Sequence, residues 1–389
     1  MATYSKIHSL TSLRFFAAAM VVILHTIGTT GYTPSFKIHV LSQGVSFFFV
    51  LSGFILAYVY PSLDTKKAIG KFWLARWARI WPAHIVAFIL VLLLVPATNW
   101  LLPTTDNKLH TTLANLFLVH GWIQSNTYYF SFNLPSWSIS TELFFYLCFP
   151  LLIFRIKKTW WLKLTGAFLL LVFFIHTADQ TRGYGLTYSM IYINPLARLF
   201  EFVLGMSVAL AWERLRSLNI TKKTGTFLEV VSLGLIIASL YFCADFCTLI
   251  YHQLEIEKNY SGNTSLFWLA LCGSAPFFAL LILVLALEKG YIARLLSLPF
   301  FIVLGEISFS VYLIHYSLLM YYIPLTTKYA LTGSALWASY LGFWGILLLS
   351  SYIIWRFVEK PCRKLLLNLW PKTLNPPASS TSNLRETAV

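Results

Sequence analysis

Charged side chains are scarce in this chain, and acidic ones are the scarcest. Asp, Glu, Lys and Arg make up 11% of the 389 residues, with 14 acidic against 29 basic residues, while 58% of the residues are hydrophobic. Because a soluble domain of this size needs a far more polar surface, the composition favours a bundle of membrane-spanning helices. Walker loops, dinucleotide-binding glycine turns and clusters of metal ligands are also absent from the sequence, which therefore predicts no metal site.

Cysteine is rare too, and its placement does not indicate a disulfide framework. The five cysteines are scattered, and most of them fall inside apolar segments. Cys243 and Cys247 share a helix face, but two thiols alone make a poor metal site and are more typical of a helix core.

The chain is instead rich in apolar segments long enough to cross a bilayer. Ten of them lie at about 10–30, 40–60, 82–102, 134–154, 160–177, 188–211, 227–248, 264–287, 299–323 and 334–358. We therefore predict an all-α polytopic membrane protein with about ten transmembrane helices. Residues 1–370 would form one transmembrane domain, and residues 371–389, rich in Pro, Ser and Thr, a disordered cytoplasmic tail.

Basic residues are distributed unevenly between the two sides that these segments define. With a cytoplasmic N-terminus, 22 Lys and Arg residues fall on the inner side, 5 on the outer side and 2 within the segments. This positive-inside asymmetry predicts that both termini are cytoplasmic and that the number of crossings is even. The net charge of +15 is then charge near lipid headgroups rather than a nucleic-acid-binding surface.

Two connecting segments have recognisable patterns of their own. The stretch 61–81 is basic and aromatic, and we expect an amphipathic helix at the inner surface, followed by a third span that begins at Pro82. The longest outer loop, 103–133, is expected to contain a partly embedded helix near 111–122.

Arg14 and His25 lie inside the first apolar segment, where ionisable side chains are costly and therefore usually functional. Their spacing of eleven residues puts both on one helix face, separated by about 16 Å along the axis. We expect Arg14 to hold an anion near the inner surface and His25 to act as a general base deeper in the membrane. For His25 considered alone, a structural hydrogen bond within the bundle is the plainer alternative.

Arg76 and Arg79 are three residues apart and are therefore neighbours on one helix face. With Arg14 they would form a cationic patch at the inner membrane boundary. A patch of this kind suits phosphate, because one guanidinium group can donate hydrogen bonds to two phosphate oxygens at once. Ordinary positive-inside charge is the alternative for this pair.

Further polar groups lie in later segments. Ser138 and Glu142 share one face of the fourth segment, and Glu142 is expected to orient His25 or to bind an acceptor hydroxyl, with a structural ion pair as the alternative. Arg198 and Glu201 are expected to pair with each other.

The ninth segment brings Ser308, Tyr312 and His315 to one helix face. His315 would be a second acid/base group or an acceptor contact, with a packing role as the alternative.

In order, seven pieces of the chain resemble the membrane acyltransferase-3 family. They are LRFFAAAMVVILH with the Arg14–His25 spacing, GVSFFFVLSGF, the RxxR motif at Arg76 and Arg79, SWSISTELFFY, RLFEFVLG, SFSVYLIH and FVEKP, and they run from residue 13 to 361. One piece alone would be weak, whereas the ordered set is specific. The resemblance is to the standalone form, without a fused extracellular hydrolase-like domain.

Proteins of this family usually transfer acyl groups, often acetyl from acetyl-CoA, to hydroxyls of surface or exported glycans. The resemblance implies an O-acetyltransferase of the bacterial inner membrane, acting on an O-antigen, a lipopolysaccharide or an exopolysaccharide. Acetyl-CoA is then a donor substrate, and no cofactor is permanently bound. Arg14 and His25 are implied as the essential pair, and Arg76 and Arg79 as donor-binding residues. Membrane lipids are expected partners, together with a separate periplasmic acyltransferase or glycan-assembly proteins.

These expectations combine into one mechanism. The CoA nucleotide rests on Arg14, Arg76 and Arg79, and its pantetheine arm threads towards His25, which deprotonates the acceptor or takes the acyl group itself. Glu142 acts as the third catalytic residue. The acceptor contacts are expected from Ser138, His315 and the outer aromatic residues Trp122, Tyr128, Tyr129 and Trp137. A transporter or flippase of a polar or glycolipid substrate is the alternative, since buried ionisable residues also mark transport paths.

Overall fold

The fold is described from a computed structural model for residues 6–30, 36–105, 107–181, 183–256 and 264–369. All regular structure within these residues is helical, as predicted, whereas the predicted tail 371–389 lies outside them. The α-helices are α1 His8–Thr26, α2 Gly44–Val59, α3 Lys66–Leu94, α4 Lys108–Leu116, α5 Asn126–Tyr129, α6 Trp137–Ile153, α7 Ile156–Asp179, α8 Tyr184–Tyr188, α9 Leu199–Leu215, α10 Lys222–Ile256, α11 Thr264–Cys272, α12 Ala275–Ala286, α13 Tyr291–Leu296, α14 Pro299–Lys328, α15 Gly333–Ile354 and α16 Lys360–Asn368.

Nine helical stretches of the described residues are long and apolar enough to cross a membrane, and they overlap nine of the ten predicted segments. The exception, 188–211, is also helical but is interrupted. A π-turn ends at Ile193, and α9 begins only at Leu199. The interruption contains Pro195, which disfavours helical backbone at the residue before it, and Asn194 is accordingly extended with ψ 122°. The chain is thus an all-α, multi-pass membrane protein.

Helix α3 begins and ends earlier than the predicted third span, 82–102. Lys66–Leu94 is one helix of 29 residues, so the basic inner-surface stretch and the third span form a single element. The expected start of a span at Pro82 is wrong, because the proline lies inside a continuous helix.

In the outer loop 103–133, the helix expected near 111–122 begins earlier, as α4 Lys108–Leu116, and is followed by the 3₁₀ turn His120–Trp122.

Glycines allow a very close crossing of helices α2 and α9. Helices α2 and α9 approach so tightly that a Cβ atom at Gly53 would lie 1.9 Å from the backbone oxygen of Phe202. In the same crossing, a Cβ atom at Gly205 would lie 1.9 Å from the oxygen of Val50. Only glycine permits this approach, which is typical of membrane helices that pack through small residues.

A buried polar network ties the same crossing to α11. The guanidinium of Arg198 donates to Glu201 Oε2 at 2.8 Å, to Ser46 Oγ at 3.0 Å and to Cys272 Sγ at 2.9 Å. The predicted Arg198–Glu201 pair is therefore confirmed, and its environment is structural because the guanidinium is satisfied by neighbouring helices.

Helix α1 runs beside α14 in the same direction. Lys6 pairs with Glu306 at one end of the two helices, and His25 meets His315 towards the other. A Cβ atom at Gly305 would lie 2.0 Å from the oxygen of Thr11, so this pair is also closely packed. The beginning of α1 is anchored further by Ser12 Oγ, which donates to the carbonyl oxygen of Leu296 at 2.5 Å. These contacts hold the helix that carries Arg14 and His25.

Candidate active site

Three cavities lie along α1, and we call them inner, middle and outer after the predicted orientation. The inner cavity has a volume of about 570 Å³, the middle one about 70 Å³ and the outer one about 410 Å³. The walls of the inner and middle cavities share Arg14, Ile55 and Arg79. The middle and outer cavities share Val45 and Tyr312. The row of adjacent cavities therefore extends from the predicted anion-binding arginines to the side of the bundle that carries His25.

His25 lines the outer cavity and contacts a second histidine directly. Its Nδ1 lies 2.9 Å from Nε2 of His315, and the two rings are nearly parallel, with 8° between their planes. His315 is fully buried, and its Nδ1 lies 2.7 Å from the carbonyl oxygen of Tyr312.

This chain of contacts determines which nitrogen of His25 carries the proton. A carbonyl oxygen only accepts hydrogen bonds, so Nδ1 of His315 must donate and must hold the proton. In neutral His315, Nε2 is then an acceptor, and Nδ1 of His25 has to donate to it. The lone pair of His25 is thereby left on Nε2, which makes no hydrogen bond to any described residue. His25 thus presents the atom that a general base needs.

The middle cavity collects three guanidinium groups and one carboxylate: Arg14, Arg76, Arg79 and Glu142. Arg14 and Arg79 make no hydrogen bond or ion pair with any described residue, although the guanidinium of Arg79 lies 5.9 Å from the ring of Phe309. Three guanidinium groups against one carboxylate leave an excess of positive charge in this cavity, and its field favours an anionic ligand.

Arg76 differs from the other two arginines in its exposure. Only 2% of it is exposed, and its guanidinium lies over the rings of Tyr60, Phe72 and Tyr146 at 5.6, 6.0 and 5.8 Å. It makes a long hydrogen bond of 3.5 Å to the hydroxyl of Tyr60, and its Nε has no partner among the described residues. Arg76 and Arg79 thus share one cavity, as their spacing predicts, but Arg76 is caged by aromatic rings.

Glu142 does not occupy the place that its proposed role requires. Its carboxylate accepts a hydrogen bond from the hydroxyl of Tyr146 and another, at 3.4 Å, from Ser52 Oγ. Within the described residues, the side-chain partner of His25 is His315 rather than Glu142. The expectation that Glu142 orients the imidazole therefore does not fit this geometry, in which the carboxylate faces the arginines of the middle cavity.

The residues expected to bind the acceptor divide into three positions. Trp137 lines the outer cavity with its ring centroid 4.9 Å from that of Tyr192. Ser138 lines the middle cavity, where its Oγ lies 2.7 Å from the hydroxyl of Tyr312. His315 lies behind His25 and is absent from the described wall of the outer cavity, so its geometry suits positioning rather than acceptor contact.

Aromatic rings dominate the outer cavity. Its wall contains Tyr129, Phe130, Trp137, Tyr184, Tyr188, Tyr192 and Tyr312, together with the polar side chains of His25, His39, Ser42 and Asn126. Burial raises the pKa of Tyr129 to about 12, so its hydroxyl remains a hydrogen-bond donor at neutral pH. Trp122 and Tyr128, which were also expected to stack on sugar rings, are not among the residues of this wall. The cavity combines stacking surfaces with hydrogen-bonding groups, as sites for polar ring-shaped ligands do.

Sequence reasoning missed the contributions of Lys6 and of helix α16 to the wall of the inner cavity. Lys6 precedes α1, and Lys360, Arg363 and Lys364 belong to α16, yet all four line the inner cavity with Arg14 and Arg79. The available signal was the three- and four-residue spacing of the α16 cations, which puts them on one helix face.

A membrane bundle with basic groups at one end and an unpaired histidine nitrogen further along fits the class of membrane acyltransferases. Comparison with known families identifies the chain: residues 7–356 match the family Acyl_transf_3, described as an acyltransferase domain. The chain belongs to this acyltransferase-3 family and is a membrane O-acyltransferase.

Two relatives illustrate the range of the family. The chain is 29% identical to the acyltransferase MdmB of Streptomyces mycarofaciens, over 93% of this chain and 92% of MdmB. It is 25% identical to the peptidoglycan O-acetyltransferase OatA of Listeria monocytogenes, over 82% of this chain and 51% of OatA. The match thus spans most of MdmB and about half of OatA. No solved structure matches the chain.

Proposed function

We propose that this protein transfers an acetyl group from acetyl-CoA, bound at the inner side, to a hydroxyl of a surface or exported glycan at the outer side. The observation that carries the proposal is the row of three cavities along α1, with guanidinium groups in the walls of the inner and middle cavities and the unpaired Nε2 of His25 at the outer cavity. Such a row would let donor and acceptor approach one reactive nitrogen from opposite sides of the membrane.

The donor side is supported by charge and by shape. CoA carries phosphates, which match Arg14 and Arg79, two guanidinium groups without a direct ion pair among the described residues, at the boundary of the inner and middle cavities. The middle cavity, at about 70 Å³, has room for only a short part of a narrow chain, such as one segment of a pantetheine arm that runs from the inner cavity towards the outer one. The thioester at the end of that arm would then come to rest near His25.

The transfer step is proton abstraction followed by acyl transfer. Nε2 of His25 takes the proton of the acceptor hydroxyl, whose oxygen forms a bond to the thioester carbonyl carbon. The carbon–sulfur bond breaks, and the proton returns from His25 to the departing sulfur. Throughout, Nδ1 of His25 donates to His315, which keeps the imidazole in the productive tautomer and orientation.

The acceptor class and the location rest on two further arguments. The aromatic wall of the outer cavity suits sugar rings, and the relative OatA is named as acting on peptidoglycan, which contains glycan strands. The basic inner side of the chain and its bacterial relatives support a location in the bacterial inner (plasma) membrane. O-antigen, lipopolysaccharide and exopolysaccharide are proposed as acceptors from the family resemblance of the sequence. The named activities of these relatives favour an enzyme over the alternative transporter.

The test compares ester-linked acetyl on surface glycans of the native host, measured by NMR before and after mild alkali. A deletion strain is complemented with the wild type, with His25→Ala and, as a matched control, with His176→Ala, whose side chain is exposed on α7. We expect the wild type and the control to restore acetylation and His25→Ala to abolish it at an equal membrane level.

Two outcomes would count against the proposal. Unchanged glycan esters after deletion would exclude glycan O-acetylation as the function, and normal acetylation by His25→Ala would exclude His25 as the base.

A further inference from the structure

The inner cavity is the largest of the three, and its wall is strongly basic. Six cationic side chains line it against two carboxylates: Lys6, Arg14, Arg79, Lys360, Arg363 and Lys364 against Glu306 and Glu359. Lys6 pairs with Glu306, and the wall as a whole carries four more positive than negative side chains. A cavity with this excess of positive charge attracts a ligand that carries several negative charges.

Half of these cations belong to the short helix α16. Lys360, Arg363 and Lys364 share one face of the helix, and that face lines the cavity. A π-turn, Trp355–Glu359, joins α15 to α16 and also contributes its first and last residues to the wall. A π-turn changes the direction in which the following side chains point and is frequent at functional sites. Helix α16 also packs against α3, the helix of Arg79.

Cavity size separates the two ends of a CoA molecule. The middle cavity, at about 70 Å³, is too small for a nucleotide, and Arg76 in its wall is caged by aromatic rings and absent from the inner wall. The inner cavity, at about 570 Å³, falls in the range of about 300–1,000 Å³ that is typical of small-molecule sites. Of the two cavities that Arg14 and Arg79 line, only the inner one is therefore large enough for the phosphorylated nucleotide.

We propose that the inner cavity binds the 3′-phosphorylated adenosine diphosphate end of the donor, with Arg363 and Lys364 of α16 as ligands of the 3′-phosphate. This inference rests on the proposed function, because it takes acyl-CoA as the donor. The pyrophosphate is joined directly to the pantetheine arm, so it lies where the arm leaves the inner cavity, at Arg14 and Arg79. The 3′-phosphate lies further from the arm and therefore reaches the face of α16.

The site has a consequence for donor selection. A donor that lacks the 3′-phosphate does not contact Arg363 and Lys364 of α16 and should bind more weakly than CoA. The chain would thus distinguish acyl-CoA from thioesters of dephospho-CoA or of pantetheine alone by contacts far from the reacting thioester.

The test is calorimetric titration of CoA and of 3′-dephospho-CoA into the full chain in lipid nanodiscs. Because CoA itself carries no acyl group, the measurement requires no transfer and is independent of the acceptor. We expect the wild type to bind CoA about tenfold or more tightly than dephospho-CoA, since charge-assisted contacts to phosphate are strong. The variant Arg363→Gln/Lys364→Gln should lose about that factor for CoA and leave dephospho-CoA binding unchanged.

A matched control and a fallback variant keep the result interpretable. Arg356→Gln removes an exposed cation of the same π-turn that does not line the cavity, and it should bind both ligands as the wild type does. If the double variant fails to fold, Lys364→Gln changes only an exposed side chain, and a loss of about threefold or more for CoA alone is expected.

The outcomes separate this inference from the proposed function. Equal binding of CoA and dephospho-CoA by the wild type, or unchanged CoA affinity in the α16 variant, would overturn the nucleotide site while leaving acyl transfer intact. The expected binding pattern in a protein that does not acetylate glycans would support the site and refute the proposed glycan acceptor.

Discussion

Removal of the hydrogen-bond acceptor behind His25 tests the geometry of the site most directly. In His315→Leu, Nδ1 of His25 loses the acceptor that lies 2.9 Å away, and the proton of His25 is free to move to Nε2, the atom required as base. An unpaired buried donor costs about 1–3 kcal/mol, which corresponds to about 5- to 150-fold in the population of the productive tautomer. We therefore expect kcat to fall about 10- to 100-fold, less than the roughly 10²- to 10⁴-fold that general acid–base catalysis contributes, because His25 itself remains.

The KM for acetyl-CoA should stay within about twofold, because His315 lines neither the inner nor the middle cavity. His315→Gln offers a side-chain carbonyl as acceptor and should recover part of the lost kcat, whereas His176→Leu, an exposed histidine on α7, should change nothing. The assay is steady-state transfer by purified protein in proteoliposomes, with folding checked by thermal unfolding. A folded His315→Leu variant with wild-type kcat, or one in which only KM rises, would refute the tautomer argument.

Three further predictions concern other parts of the fold. Gly53→Ala should lower the free energy of unfolding by about 1–3 kcal/mol, measured as a lower unfolding temperature in detergent, because its Cβ would lie 1.9 Å from the Phe202 oxygen. Gly342→Ala, with nothing within 4 Å, should be neutral or slightly stabilising. Glu142→Gln should lower stability by removing the carboxylate of the middle cavity, yet leave the pH profile of kcat unshifted; a shifted profile would restore Glu142 as a partner of His25. Burial lowers the pKa of His120 to about 3 in the folded protein. Below pH 6.5 the unfolded chain therefore binds a proton at His120 that the folded chain does not, and the free energy of unfolding decreases as the pH is lowered. At pH 5.5 this loss is about 1.4 kcal/mol, and His120→Gln should show a correspondingly smaller drop in unfolding temperature between pH 7.5 and 5.5; an equal drop would contradict the assignment.

The helices were predictable where composition alone decides them. Spans such as Ile156–Asp179 are long apolar runs, and a membrane forces such runs to satisfy their own backbone hydrogen bonds as helices. The break in segment 188–211 and the start of the third span could not be predicted in this way. Pro195 interrupts the first of these helices, whereas Pro82 is accommodated inside α3. Proline only biases the local backbone, and neighbouring helices decide whether the helix continues.

The sequence by itself determined the class of protein, the helix face shared by Arg14 and His25, and the grouping of Arg76 with Arg79, because these follow from hydropathy and from the helical repeat. Only the tertiary structure decided that His315 rather than Glu142 contacts His25, and that α16 completes the inner cavity. The reason is physical: periodicity specifies which side chains share a face of one helix, whereas the rotation of each helix towards its neighbours depends on close packing at glycines and on buried polar contacts between distant segments.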